Sequence, residues 1–338
     1  MSTERKETLS VWLREYRVGD EQGIIDCIRD EYGNSYVKAQ WYRKTAIWEN
    51  AVTGRDIFIV AQLPNGEIAA TTALVRTQPQ NAAVYEIAAQ VVKKKYRGHG
   101  IARKLFEYGL KLLADKNAVS VYSQPVLFHD ITQRLLCGLG FKAAGILPGM
   151  FDLQVLHHSY DNGRNKKMPL GIQVKAARGQ TAGQLYLPER HRSFCMERCK
   201  ELGVAYEIAK SPLGTDRDMP VKSRISYQYD RTHRYLEISI HTIGADIYRQ
   251  LERLLCAYPQ TGKTTATIFV NSNDQYAVSV YERLAGQGFF FMGIKPLCPE
   301  NVYLIMHHAG ETAFYLEDLK LNTEFKKIAE YIRKEQMR

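Results

Sequence analysis

The sequence predicts an α/β chain of the α+β kind in two domains, each a mixed, mostly antiparallel sheet flanked by helices. Three observations predict it. A hairpin pattern is followed by a third strand that runs through a basic, glycine-containing turn into an amphipathic helix. A strand, helix, strand, helix order recurs in the second half. And Gly138-Leu139-Gly140-Phe141-Lys142-Ala143-Ala144-Gly145-Ile146-Leu147-Pro148 aligns without gaps on Gly286-Gln287-Gly288-Phe289-Phe290-Phe291-Met292-Gly293-Ile294-Lys295-Pro296, as equivalent points of two domains of one fold would.

Taken in order, residues 1–15 read as a charged lead-in and Tyr16-Arg17-Val18 as a short strand. The helix Gln22 to Tyr32 buries the stripe Ile24, Ile25 and Ile28. A second helix, Val37 to Glu49, carries Trp41, Tyr42 and Trp48, and both helices could be wall rather than core. Asp56 to Leu63, the turn Pro64-Asn65-Gly66-Glu67 and Ile68 to Val75 form a hairpin, with Asn-Gly at its turn. After Pro79-Gln80-Asn81 comes the strand Ala83 to Val92, then Lys93-Lys94-Lys95-Tyr96 and Arg97-Gly98-His99-Gly100. The helix Ile101 to Ala114 follows, with Ala102, Leu105, Phe106, Gly109, Leu110 and Leu113 on one side. Val119 to Ser123 reads as a parallel neighbour of the strand containing Glu86, because a helical crossover joins them. His129 to Leu139 is a helix ending at Gly140-Phe141, and Phe151 to Leu156 a last strand.

The polar run 161–167 divides a first domain, 1–160, from a second, 168–310, with 311–338 a helical tail. In the second domain the strands Tyr235 to Ile240 and Ala266 to Asn271, with helices Asp246 to Leu255 and Gln275 to Leu284, repeat the earlier order. The turn His241-Thr242-Ile243-Gly244-Ala245 has no arginine and no paired glycines. Gly262-Lys263-Thr264 is no P-loop, since a strand follows it.

Lys plus Arg exceeds Asp plus Glu by 46 − 36, a net charge of +10 over 338 residues. Such a charge suits a polyanionic partner. No nucleic-acid-binding motif accompanies it, so nucleic acid ranks last among partners. No apolar run approaches the ~20 residues that cross a bilayer, so no membrane is expected. The six cysteines are scattered and no leader pattern opens the chain, which points to a reduced, cytoplasmic protein. Cys195 and Cys199 share a helical face, but no second pair stands at zinc spacing, so no metal is expected.

The chemistry centres on the turn before Ile101. The first amides of a helix lack intrahelical partners and the helix dipole adds about half a positive charge there, so a phosphate docks well. Gly98 and Gly100 let backbone approach an oxygen closely. A dinucleotide fingerprint would need glycine where Arg103 stands, and no Lys-Ser/Thr follows as a P-loop requires. The pattern Arg97-x-x-Gly100-x-Ala102 resembles the Arg/Gln-x-x-Gly-x-Gly/Ala signature of the GNAT superfamily of acetyl-CoA-dependent N-acetyltransferases, over residues 82–114 and 119–148, and in the second half by the echo alone.

The resemblance implies acetyl-CoA as cofactor, its pyrophosphate at Arg97, Gly98, His99, Gly100, Ile101, Ala102 and Arg103. It implies a pantetheine arm along the backbone of Gln90, Val91 and Val92. It makes Glu86 the general base, on a strand face shared with Val84, Ala88 and Val92, an apolar setting that would raise its pKa. A structurally paired strand glutamate is the equal alternative. The tyrosine that many members use as general acid falls at Leu136, so none is carried over. His129 stands where the family often has asparagine, and Gln133 follows one helical turn later; both could face the cofactor sulfur or the substrate, although His129 beside Asp130 also suits a helix cap. The expected function is acetyl transfer to an amine. The rival is a non-catalytic acyl-CoA sensor or protein-interaction module. The second domain would be a GNAT-like copy without a cofactor loop, shaping the acceptor cleft or a homodimer contact.

Overall fold

The computed structural model describes residues 9–77, 83–156, 163–176, 183–203, 206–209 and 219–337. The chain divides into two compact units, Met1–Val121 and Tyr122–Arg338. The turn at Pro79 and the start of the polar run, Asp161-Asn162, lie outside the described residues.

The first unit runs β1 (Trp12–Glu15), α1 (Glu21–Tyr32), a 3-10 turn (Ala39–Tyr42), α2 (Lys44–Val52), β2 (Asp56–Gln62), β3 (Ile68–Arg76), β4 (Val84–Val92), α3 (Ile101–Asp115) and the start of β5 (Ser120–Ser123). Strands β1 to β4 pair antiparallel in chain order. The hairpin forms as expected, and Gly66 supplies the positive φ (89°) that its turn needs. The first strand lies earlier than Tyr16-Arg17-Val18, because Trp12 to Glu15 take the register opposite Gln62 to Ile59. On one sheet face Ile24, Ile25 and Ile28 of α1 pack with Trp41, Ile47, Phe58, Val60 and Ala73. On the other lies α3, whose Gly109 sits so close that an added Cβ would come 3.2 Å from Leu74 and 3.3 Å from Ile59. Full burial of each such Ile or Phe contributes roughly 1.5–3 kcal/mol. Trp41 is core rather than wall, completely buried with its indole N–H donated to Asp56, while Trp48 stays exposed.

β4 carries a bulge. Thr71 pairs with Val91 and Ala73 with Ala88, so Thr72 alone faces both Ala89 and Gln90. Ala89 takes φ 46°, a left-handed conformation costly for a residue with a Cβ. The extra residue resets the alternation: Ala88, Ala89 and Val91 all join the α1 side, while the Gln90 amide reaches the Ala102 carbonyl at the start of α3, 3.4 Å away. The expected face of Val84, Glu86, Ala88 and Val92 is therefore corrected at Val92.

The second unit holds the end of β5, α4 (Ile131–Gly138), β6 (Lys142–Asp152), α5 (Leu153–Leu156), β7 (Lys167–Ala176), β8 (Gly183–Leu185), α6 (Arg192–Glu201), β9 (Tyr206–Ile208), β10 (Arg224–Asp230), β11 (Tyr235–Thr242), α7 (Ile247–Ala257), β12 (Thr265–Asn271), α8 (Ala277–Ala285), β13 (Phe290–Cys298), β14 (Asn301–His308) and α9 (Thr323–Gln336). Its main sheet has the order β7-β6-β13-β14-β12-β11-β10. Only β11 and β12 are parallel there, joined by α7. The strand expected from Phe151 to Leu156 is instead the end of the long β6, followed by α5.

The two echo segments meet. β6 and β13 pair antiparallel through Gly145 and Gly293, and a Cβ on Gly293 (φ 112°) would lie 2.6 Å from the Ala144 carbonyl oxygen. Each segment opens alike: Phe141 donates its N–H to Leu136 (3.0 Å), Phe289 to Leu284 (3.1 Å), after glycines at φ 87° and 85°. This pairing, with β6–β7, ties together chain on both sides of 161–167, which is why the compact units divide at Val121 and not there. Asn165 is buried and exchanges hydrogen bonds with the Tyr315 backbone. The tail is no loose appendage: the helix begins only at Thr323, capped by Asn322, and buries Phe325, Ile328 and Ile332, with the Phe325 ring seated over Gly171.

Among the described residues no helix is long and apolar enough to cross a membrane, and no group of three or more His, Cys, Asp or Glu is placed to hold a metal ion.

Candidate active site

The turn before α3 is built from acidic anchors that the sequence pattern does not reveal. Lys93, Lys95 and the Tyr96 hydroxyl converge on Glu67 at 3.0, 2.9 and 2.6 Å. These bonds, the Tyr96 one foremost, hold the Glu67 carboxyl down at about 2. The Lys94 amide donates to Asp30 (2.7 Å), and Arg97 pairs with Glu31 while its Nε donates to the Val92 carbonyl (3.1 Å). The basic run is thus a fastened turn, and its positive charge is partly matched before any ligand arrives.

Beyond Arg97 the backbone lies open. Gly98 has φ 83° and Gly100 φ 73°, the latter as left-handed N-cap of α3 with no side-chain cap bond and no acidic residue in the first turn. The first helical hydrogen bond is Lys104 N–H to the Gly100 carbonyl (3.2 Å), so the amides of Ile101, Ala102 and Arg103 precede it. A Cβ on Gly100 would meet nothing within 4 Å. His99 is half-buried, and Arg103 is exposed and paired with Glu107 at 2.9 Å. Nearby, Gln90 Oε1 is buried with no hydrogen-bond partner among the described residues, an acceptor available to a ligand N–H. A cradle of amides at a left-handed glycine and a buried acceptor beside it fit a diphosphate with an amide-bearing arm.

The turn before α7 in the second unit does not fit one. At the start of α7 stands Asp246, whose carboxylate accepts the Ser223 amide and the Gln250 side chain, both at 2.7 Å. A Cβ on Gly244 would lie 2.5 Å from the Lys222 carbonyl carbon and 2.7 Å from the Pro220 carbonyl oxygen. Carboxylate and backbone fill the place an anion would need.

Glu86 extends from β4 on the α1 side and is 15% exposed. Its partner is Lys38, whose Nζ lies 3.3 Å from Glu86 Oε2 and 5.0 Å from the centre of the Trp41 ring. The Tyr36 ring stacks on Trp41, centroids 5.9 Å apart; burial, with the charge of Glu86 nearby, drives the Tyr36 hydroxyl well above its ordinary range. Lys38 and Tyr36 stand at the candidate site, and sequence reasoning did not single them out. The helix expected from Val37 covers Lys38, and the Lys38–Glu86 pair spans 48 residues, beyond any periodicity. The apolar setting expected around Glu86 is corrected to one holding an ammonium and two aromatic rings.

His129 and Gln133 belong to the second unit. His129 precedes α4 beside the cap residue Asp130, its ring edge-on to Phe128 at 5.3 Å. Gln133 is fully buried and spent: its Nε2 donates to the carbonyls of Val126, His129 and Lys320 (3.2, 2.7 and 3.0 Å), and its Oε1 accepts the Asn322 amide (3.0 Å). The expected cofactor contact is therefore corrected to a clamp holding α4 to the residues that open α9. Leu136 is buried in the same helix.

Three solved structures similar to part of the chain are a GNAT family N-acetyltransferase, YhbS, of Escherichia coli in complex with CoA (21% identity, 40% of this chain and 71% of that one, TM-score 0.32), an N-acetyltransferase of Staphylococcus aureus Mu50 (17%, 49% and 98%, 0.40) and a GNAT superfamily phosphinothricin acetyltransferase of Sinorhizobium meliloti in complex with AcCoA (15%, 50% and 89%, 0.41). No curated protein matches the chain. The family model described as Acetyltransferase (GNAT) family matches residues 22–141, the span that contains α1, the β2–β3 hairpin, the bulged β4 and the glycine turn into α3. On that match, residues 22–141 are a GNAT-family acetyltransferase domain.

Proposed function

We infer that the chain is an acetyl-CoA-dependent N-acetyltransferase. The observation that carries this reading is the open left-handed Gly100 cap of α3, fed by the fastened basic turn and lying beside the orphaned Gln90 acceptor. Gly98 to Arg103 would hold the diphosphate through backbone amides, with Arg97 adding charge and His99 lining the turn. The backbone of Gln90, Val91 and Val92 would guide the arm. Acetyl-CoA supplies an activated thioester, so the protein's share is positioning and proton handling. Glu86 would take the proton from the acceptor ammonium, a role supported by its contact with the Lys38 ammonium. His129 is the proposed second proton-handling group. The second half is read as a degenerate copy, and the Asp246 carboxylate and close backbone at its α7 turn support donor binding in the first half.

The acceptor is an amine, small molecule or peptide. A second reading, an acyl-CoA sensor without turnover, is favoured by one observation, the buried Leu136 where many GNAT enzymes have their acidic tyrosine. Acetyl-CoA at about a hundred times its dissociation constant should stabilise the folded chain by roughly 2.7 kcal/mol. Thioester consumption with a panel of amines then separates the readings: turnover that Glu86→Gln abolishes supports the enzyme, binding without turnover supports the sensor, and no stabilisation refutes both.

A further inference from the structure

We propose that Lys38 is an acetylation site of the chain itself, an internal amine acceptor set against Glu86; this rests on the donor reading above. An amine accepts an acyl group only after losing a proton, so the group to be modified must touch a base and lie where the thioester can reach. Lys38 meets the first condition, with its Nζ 3.3 Å from Glu86 Oε2. Its head lies 5.0 Å from the Trp41 ring centre, so an aromatic face and a carboxylate hold it as a cationic substrate would be held. The lysines of the glycine turn differ: Lys93 and Lys95 are bonded to Glu67, a carboxyl held at about 2 and thus a poor proton acceptor.

Reach is set by β4. At ~3.3 Å per residue, Glu86 stands about 13 Å along the strand from Gln90 and about 20 Å from Val92. An arm anchored at α3 and laid along Val92 to Gln90 would carry its thioester end towards Glu86 and Lys38. The side chain of Lys38 is 24% exposed, so an acyl group can approach it.

In the step, the Lys38 ammonium gives a proton to the Glu86 carboxylate. The amine then attacks the acyl carbonyl, the N–C bond forms, the C–S bond breaks, and the thiolate leaves and takes up a proton. Thioester and ammonium become amide, thiol and one released proton. The product is neutral, so the ion pair that occupies Glu86 is lost and the carboxylate is freed for other amines.

The test is a time course of the full-length chain with acetyl-CoA, read by intact mass and peptide mapping, with a CoA thermal-shift measurement on the same preparation. Lys38 should gain an acetyl group faster than the 60%-exposed Lys95, saturably in acetyl-CoA, and Glu86→Gln should slow it about 10²-fold. Lys38→Arg should remove the modified peptide and leave the thermal shift in place. If CoA stabilises the chain and added amines are acetylated while Lys38 reacts no faster than Lys95, self-acetylation alone is overturned. If CoA gives no stabilisation, the donor reading falls and this proposal with it.

Discussion

Replacing Gly100 by aspartate separates fold from binding at the cap of α3. Two effects are expected and they differ in size. The φ of 73° is left-handed, which costs a residue with a Cβ roughly 1–2 kcal/mol. No steric term adds to this, because a Cβ there meets nothing within 4 Å. Gly100→Ala carries the backbone cost alone, and a drop of a few degrees in Tm is expected. Gly100→Asp adds a carboxylate where the diphosphate would sit. At ~5 Å and an effective dielectric of ~20, each pair of like charges costs about 3 kcal/mol, a factor above ~100 in affinity. Calorimetric titration of CoA into the three proteins at one fixed ionic strength reads both effects. Alanine is expected within about tenfold of the parent and aspartate weaker by at least ~100-fold, both folded. Equal affinities for the alanine and aspartate variants would overturn this placement, because the charge would then be nowhere near the ligand.

Other outcomes rest on the same geometry. Glu86→Gln should lower amine acetylation ~10²–10⁴-fold at neutral pH while leaving CoA affinity within about twofold, as measured by turnover and titration in parallel. His191 is 1% exposed, stacked on Phe291 at 3.9 Å and held between the Tyr331 and Tyr281 hydroxyls at 2.8 and 2.6 Å. Burial, opposed by Glu335 and reinforced by Arg190, lowers its pKa from 6.5 to about 4. The folded chain therefore binds fewer protons than the unfolded one between those values, so this contribution is present above pH 6.5 and is lost as the pH falls towards 4. The full loss is about 3 kcal/mol; His191→Gln should flatten that part of the pH dependence in urea titrations, and an unchanged slope would contradict it. Gly293→Ala should destabilise by at least ~1–3 kcal/mol, since its Cβ would sit 2.6 Å from the Ala144 oxygen at φ 112°; a neutral result by thermal melting would mean that the β6–β13 crossing is looser than described.

Local signals were legible and long-range ones were not. The hairpin, the third strand and α3 follow from alternation, Asn-Gly and helical periodicity, all properties of short windows. The echo around Gly145 and Gly293 marked residues that pair with each other, because a backbone crossing that close tolerates no side chain. The bulge at Ala89 was invisible: alanine carries no mark of a positive φ, so the face of Val92 was misplaced. The partners of Glu86 and Gln133 were equally hidden, since Lys38 lies 48 residues away and Lys320 lies 187 away. Apolar spacing places Gln133 on a helix face but says nothing about which carbonyls face it. The polar run at 161–167 looked like a linker because composition cannot show that Asn165 is buried against Tyr315.

The most direct measurement is amide chemical-shift mapping of the labelled full-length chain titrated with CoA. The largest perturbations are expected at Gly98, Gly100, Ile101, Ala102 and Arg103, with the amides of Gly244 to Ile247 unmoved. Perturbation at the α7 turn with Gly100 to Arg103 unchanged would contradict this expectation.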